Sequence, residues 1–223
     1  MAKTTGDKTT KNTTKSTKNT TKSTNPKRPS AKYSLMDDIK SSKLYGKRSG
    51  RSQAARDEIN ENVGTSSKSK VLPGQLVMFN YFTPKTEEEL EYYDAMPCTI
   101  FFGLVNTQQG RRYLGFNIHY YPPKLRYRIM NKIFEIYKPV YLKYFHEGLS
   151  KEIDAFDYQY LVENLKKAKM DFGVRMYIPQ LCGKPQVIPP KLWSTAVFTE
   201  GVFRKQTRAK IMSYWKSKNL NSI

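Results

Sequence analysis

Cysteine and histidine are nearly absent from this chain, with two of each in 223 residues. Cys98 and Cys182 lie far apart in hydrophobic surroundings, which argues against a disulfide framework and for a reducing compartment. Together with His119 and His146 they show no CxxC or HxxxH spacing, so the sequence indicates no metal site and implies no cofactor. Acid is scarce as well, 19 Asp and Glu against 39 Lys and Arg. The clustered carboxylates that a metal-dependent nuclease needs are missing, since Glu87 to Glu91 fall in an expected acidic loop. There is no glycine-rich phosphate cradle. Nor is there a long hydrophobic run. Met96 to Val105 is half of the roughly 20 residues that span a bilayer, and Thr and Lys alternate where a secretory signal has its apolar core. Enzymes and membrane proteins are the classes these absences disfavour.

What is abundant is positive charge, a net +20. Polyanions are the expected partners, and nucleic acid ranks ahead of a membrane surface because no basic amphipathic helix stands free of the folded region. The charge is spread in three segments. Residues 1–32 are built from Lys, Thr, Ser and Asn in a loose repeat, with nine Lys or Arg against the single acid Asp7. Such a segment has almost nothing apolar to bury and is expected to be a disordered basic arm that follows a phosphate backbone without reading sequence. Residues 33–70 read as a polar linker rich in Gly and Ser, with Tyr33 to Ile39 as a docking segment and Ser52 to Asn62 as a brief helix. Residues 71–223 read as a single α+β domain. Residues 1–70 hold 17 basic and 6 acidic residues and 71–223 hold 22 and 13, so the domain is basic in its own right.

Within the domain, Gln75 to Phe82, Cys98 to Val105 and Arg111 to Tyr120 show strand composition, and Asn106 to Gly110 makes a hairpin loop between the last two. A meander of this kind predicts a small antiparallel SH3-like barrel or curled sheet, packed with about three helices. Pro122-Pro123 stops the third strand. Leu125, Ile129, Ile133, Ile136 and Val140 then recur at helical spacing, with a kink or break expected at Pro139. Further on, Phe156 to Phe172 reads as a helix capped by Asp157 and closed by Gly173, Trp193 to Phe203 as a strand returning to the sheet, and Thr207 to Ser217 as a final helix.

The strand-to-helix corner carries the functional signal. Arg111, Arg112, Lys124, Arg126, Arg128 and Lys132 flank it, and no acid lies between Asp94 and Glu135. The C-terminal end repeats the theme with Arg204, Lys205, Arg208 and Lys210, and no acid follows Glu200. These ten residues are the candidate phosphate contacts. Tyr113, Tyr120 and Tyr121 are candidates for stacking on frayed bases, with core packing as the competing reading of the same rings. His119 on a strand reads as a hydrogen-bonded structural residue, and Asp94 before Ala-Met-Pro97 as a turn-holding side chain.

The segments PGQLVMFNYFTPK, YYDAMP and LGFNIHYYPPKLR, between Pro73 and Arg128, resemble the DNA end-protector family of contractile-tailed bacteriophages. Lys191 to Phe198 is a weaker echo, and the Lys-Thr arm is a departure from the pattern. The resemblance implies a virion protein that binds the ends of packaged linear DNA near the head–tail junction, present in the host cytoplasm during assembly. Two other readings stand beside it: a head-completion or head–tail assembly protein, in contact with phage head or portal proteins, whose arm meets acidic protein surfaces, and last, an end-processing nuclease.

Overall fold

The computed structural model describes residues 33–47, 49–63, 71–82, 93–138, 141, 157–168 and 170–217. The expectations for the 1–32 arm, the Thr86 to Glu91 loop, Pro139 and His146 fall outside these residues.

The longest regular feature is a hairpin of Cys98–Thr107 (β3) and Gly110–Asn117 (β4), paired from Thr99 opposite Asn117 to Thr107 opposite Gly110. Its turn is tighter than the loop expected from Asn106. Thr107 Oγ1 accepts from Gln109 N–H at 3.2 Å and donates to the Gly110 carbonyl at 2.7 Å, while Gly110 takes φ 99°, which an L side chain rarely adopts. A bulge between Phe101 and Gly103 bends β3 in mid-course. With Leu76–Met78 (β1), Val174–Tyr177 (β5) and Gln186–Ile188 (β6), the hairpin builds an antiparallel sheet of order β5-β4-β3-β1-β6. A separate pair, Tyr93–Asp94 (β2) and Phe203–Arg204 (β7), lies outside it. The fold is α+β around an antiparallel sheet. Among the described residues the sheet is open, since its outer strands β5 and β6 do not pair with each other, so of the expected barrel or curled sheet the closed form is not seen there.

Six α-helices occur among the described residues: Leu35–Ser41 (α1), Arg51–Val63 (α2), Pro123–Ile136 (α3), Tyr158–Lys167 (α4), Trp193–Ala196 (α5) and Arg208–Ser217 (α6). α3, α4 and α6 are the three expected of 71–223 and α2 is the brief helix expected over Ser52 to Asn62; α1 and α5 are additional, and 33–63 packs into the core where a linker was expected. Leu35, Ile39, Ala55 and Ile59 are fully buried in the main core, and Met36 N–H donates to Asn131 Oδ1 at 3.1 Å, fixing α1 on α3. Burying Leu35, Ile39 and Ile59 contributes about 1.5–3 kcal/mol each. That sum rivals the net stability of a whole domain, about 5–15 kcal/mol.

The segment read as a returning strand is also different. Leu192 to Thr199 is buried throughout, and its first residues coil into α5. A fully buried apolar run carries no periodicity that separates strand from helix, and the Pro189-Pro190 entry favours a helical turn. α3 starts with Pro123 at its first position, buries Leu125, Ile129 and Ile133 as expected, and leaves Ile136 40% exposed. Asp157 caps α4, its carboxylate accepting from Tyr160 N–H at 3.0 Å. Gly173 does not close that helix. It sits over the Tyr121 ring, where a Cβ would come within 2.7 Å of Cζ, and donates its N–H to the Tyr121 hydroxyl at 2.9 Å.

Candidate nucleic-acid interface

Nine of the ten cations of the sequence reading fall into three groups, and Arg126 stands apart from all of them. Arg111 is exposed and Arg112 half-buried at the tip end of the hairpin, where Arg112 Nη1 donates to the Arg111 carbonyl at 3.0 Å. They do not flank the strand-to-helix corner. That corner is at the other end of β4, six strand residues or roughly 20 Å away.

The second environment is α3. Lys124, Arg128 and Lys132 stand at i, i+4 and i+8 and all are exposed, so they form one cationic stripe with about 6 Å of axial rise between neighbours. No acid occupies the first turn of α3, although the helix dipole favours one there. Repelling i,i+4 neighbours and a lysine at the positive end of a helix both oppose stability. A polyanion along the stripe reverses both terms.

The same corner is joined to the C-terminal cations. Tyr120 packs edge-on against Phe203 at 5.4 Å, and the Arg175 guanidinium lies over the Tyr120 ring at 4.3 Å from its centroid. Phe203 is followed by Arg204 and Lys205, both exposed, the latter at φ 66°. Lys210 is exposed on α6, which also carries Arg208.

Arg126 belongs to none of these surfaces. It is 3% exposed, and its guanidinium donates to the carbonyls of Tyr121 at 2.7 Å, His119 at 3.4 Å and Thr199. It ties the corner to the segment after α5, because the helical spacing that puts Arg128 outside turns residue 126 toward the core. Tyr120 and Tyr121 are likewise interior, 3% and 0% exposed. Tyr121 stacks on Phe116 at 5.1 Å and bonds the Met170 carbonyl, so neither ring offers a face to a base. Tyr113 is half-buried, edge-on to Phe101 at 5.3 Å, and is the one stacking candidate of the three at the surface.

Beneath the corner is a sealed polar network that the sequence only partly announced. His119 Nδ1 meets Asp94 Oδ2 at 2.7 Å and Nε2 meets Thr199 Oγ1 at 2.9 Å. Asn117 Nδ2 donates to Asp94 Oδ2 at 3.1 Å, and Asp94 Oδ1 accepts from the N–H groups of Met96 at 3.0 Å and Val202 at 2.9 Å. Asp94 thus holds its own turn, as read, and is also the partner of His119. Burial opposes ionisation of Asp94, but His119 and these hydrogen bonds outweigh it and hold the carboxyl below its ordinary range. Burial lowers the His119 pKa, with help from Arg126 and Arg56, against the pull of Asp94. The Thr199 hydroxyl has one proton to give and two acceptors for it, His119 Nε2 at 2.9 Å and the Ala196 carbonyl at 2.7 Å, so the three groups form one shared hydrogen-bond series. An acid–imidazole–hydroxyl series suggests catalysis, but Asp94, His119 and Thr199 are 2%, 0% and 0% exposed and no substrate reaches them. Burial pushes the thiols of Cys98 and Cys182 up to about 12. No group of three or more His, Cys, Asp or Glu side chains arranged to hold a metal ion occurs among the described residues.

The family model described as phage T4 terminal DNA protecting protein matches residues 2–214. The chain belongs to that family. The phage T4 terminal DNA protecting protein family is one of bacteriophage DNA end protection, in agreement with the resemblance between Pro73 and Arg128. The match begins at residue 2, so the Lys-Thr arm lies inside the family span and is not the departure it looked. No curated protein and no solved structure matches the chain.

Proposed function

We propose that this protein binds the ends of linear phage DNA without reading sequence and shields them, acting as a non-enzymatic virion component near the head–tail junction. The observation that carries the reading is the α3 stripe of Lys124, Arg128 and Lys132. It is a cationic row on one helix whose first turn holds no acid, in a chain of the terminal DNA protecting family. Arg204 and Lys205 extend the row at the corner, while Arg111 and Arg112 give a second contact about a strand's length away. Two anchor points on a rigid sheet suit a duplex, which offers one phosphate charge per roughly 1.7 Å of axis. The 1–32 arm adds charge without sequence preference.

One feature favours a second reading, assembly on head or portal proteins. The outer strand β5 carries Met176 at 58% exposure, and the neighbouring hairpin carries Leu104 at 48%. The two readings separate when the full chain is titrated with linear and covalently closed DNA of equal length over a salt series. End binding predicts tighter binding of the linear form, with the preference persisting in a full-length variant whose Lys and Arg in 1–32 are replaced by Ser. Equal binding of both forms would refute it. Co-sedimentation with nuclease-treated heads, without a linear-DNA preference, is the result expected of an assembly protein.

A further inference from the structure

Between α2, the far end of β1, the 184–186 segment and the chain after α5 lies an open cleft of about 670 Å³. It falls within the roughly 300–1,000 Å³ of pockets that take small molecules. Its lining is unlike the cationic surfaces described above. Four side-chain amides converge on it, Gln53 and Asn60 from α2, Asn80 after β1 and Gln186 from β6. Gln186 Nε2 donates to Asn60 Oδ1 at 3.3 Å, so two elements distant in sequence are fixed against each other across the site. Met96, half-buried, supplies apolar surface beside the amides, whereas Met78 and Phe79, which also line the cleft, are 5% and 7% exposed.

Two cations belong to the lining in different ways. Lys184 is exposed. Arg56 is 9% exposed, its guanidinium donating to Met96 Sδ at 3.2 Å and to the Glu200 carbonyl, so it braces the wall formed by Glu200, Gly201 and Val202. That wall runs directly into Phe203, Arg204 and Lys205. The cleft is therefore continuous along the chain with the phosphate-facing corner.

We infer that this cleft receives the terminal nucleotide of a DNA strand, its base among the amides and its phosphate at Lys184. The inference rests on the end-binding reading and specifies which part of the end is held. Side-chain amides both donate and accept, so they meet the edge of any base without selecting one. A methionine surface, here that of Met96, is adaptable enough to accept the face of any base. The volume excludes a duplex, whose major groove alone is about 12 Å wide. A base must leave the stack to enter, and the pair at a terminus is the one with a neighbour on one side only. A site of this shape thus discriminates an end from the interior of a duplex by geometry, which the charged surfaces cannot do.

The test uses the full chain and a 5′-phosphorylated trinucleotide of deoxythymidine with 4-thiothymine at one terminus, alongside free thymidine monophosphate. We expect ultraviolet cross-links from the terminal base to fall in 52–60, 78–80 or 184–202. Asn80→Trp, which fills the cleft from an exposed position, and Gln186→Leu are each expected to weaken trinucleotide binding at least tenfold. Lys166→Ser/Lys167→Ser, which removes exposed charge from α4, away from the cleft and from α3, is expected to change it less than threefold. Cross-links confined to α3 or the hairpin, or trinucleotide binding indifferent to both cleft variants, would overturn the inference. Failure of thymidine monophosphate to compete for the cleft cross-link would overturn it as well, because base and phosphate are the two groups the cleft is inferred to hold. The end-binding reading is scored separately by linear against closed DNA. Its failure leaves the cleft cross-links standing as a nucleotide site, whereas failure of the cleft alone leaves the linear preference intact.

Discussion

Replacing Lys124, Arg128 and Lys132 together with alanine separates a functional stripe from a structural one. If each cation neutralises one phosphate, the slope of log K against log salt becomes shallower by about 0.9 per contact, or about 2.7 in all. Between 50 and 200 mM salt the wild-type affinity should then fall about 40-fold further than the variant's. Folding should respond in the opposite direction. The substitution removes two like-charged i,i+4 pairs, each unfavourable by about 0.2–0.5 kcal/mol, and inserts the strongest helix former three times. The gain of up to about 1 kcal/mol corresponds to a Tm rise of about 1–4 °C for a chain of this size. Fluorescence anisotropy with a labelled linear duplex at four salt concentrations, with a thermal melt of both proteins, reads both quantities. An unchanged slope would refute the phosphate role of the stripe. A Tm drop of several degrees would show that these side chains support the fold.

The remaining predictions concern the interior. Arg126→Ala removes the donor to the Tyr121 and Thr199 carbonyls, and hydrogen bonds to a charged group are worth about 1.5–3 kcal/mol each, so we expect a loss of about 3–6 kcal/mol in urea unfolding. The salt slope of DNA binding to the folded variant should not change, and a shallower slope would return Arg126 to the interface. Both His119 and Asp94 have folded-state pKa values below their unfolded ones, so their contribution to stability is complete above about pH 6.5. It should be lost first as pH falls through the folded His119 value and then through that of Asp94; Tm measured from pH 7.5 to 5 should fall more steeply than in His119→Gln, and parallel curves would disprove the assignment. A chain beginning at residue 71 lacks Leu35, Ile39, Ala55 and Ile59 and should show no cooperative thermal transition by circular dichroism, whereas a native-like melt would make 33–63 dispensable.

The hairpin, α3 and the N-cap of α4 were legible because each has a local signal: period-2 alternation, a 3.6-residue stripe and an Asp placed before a helical run. What failed was non-local. Leu35, Ile39 and Ile59 are too sparse among Ser, Lys and Gly to mark 33–63 as core, and only the complementary faces of α3 and α5 make them so. The same held for Arg126, whose burial depends on three carbonyls from two other segments, and for Thr199, which nothing in its neighbourhood connects to His119. The cleft amides were invisible for a related reason. Gln53, Asn60, Asn80 and Gln186 are ordinary surface residues until α2, β1 and β6 bring them together. Charge was the most legible property, and the fold divided it into surface and brace.

The brace between α2 and the segment after α5 also sets an order of events at the ribosome. Ser52 Oγ accepts the Glu200 N–H, and Glu58 accepts from Thr195, across sequence separations of 148 and 137 residues. During synthesis, α1 and α2 emerge with apolar faces whose partners are still untranslated. At about 5–20 residues per second that interval lasts on the order of 7–28 seconds. The protein cannot close its core, or assemble the cleft wall, until residues 193–202 have been made. A chain that stops short of that segment is thus a basic polypeptide without this fold, and one that includes it brings residue 33 into the same assembly as the cations that follow Phe203.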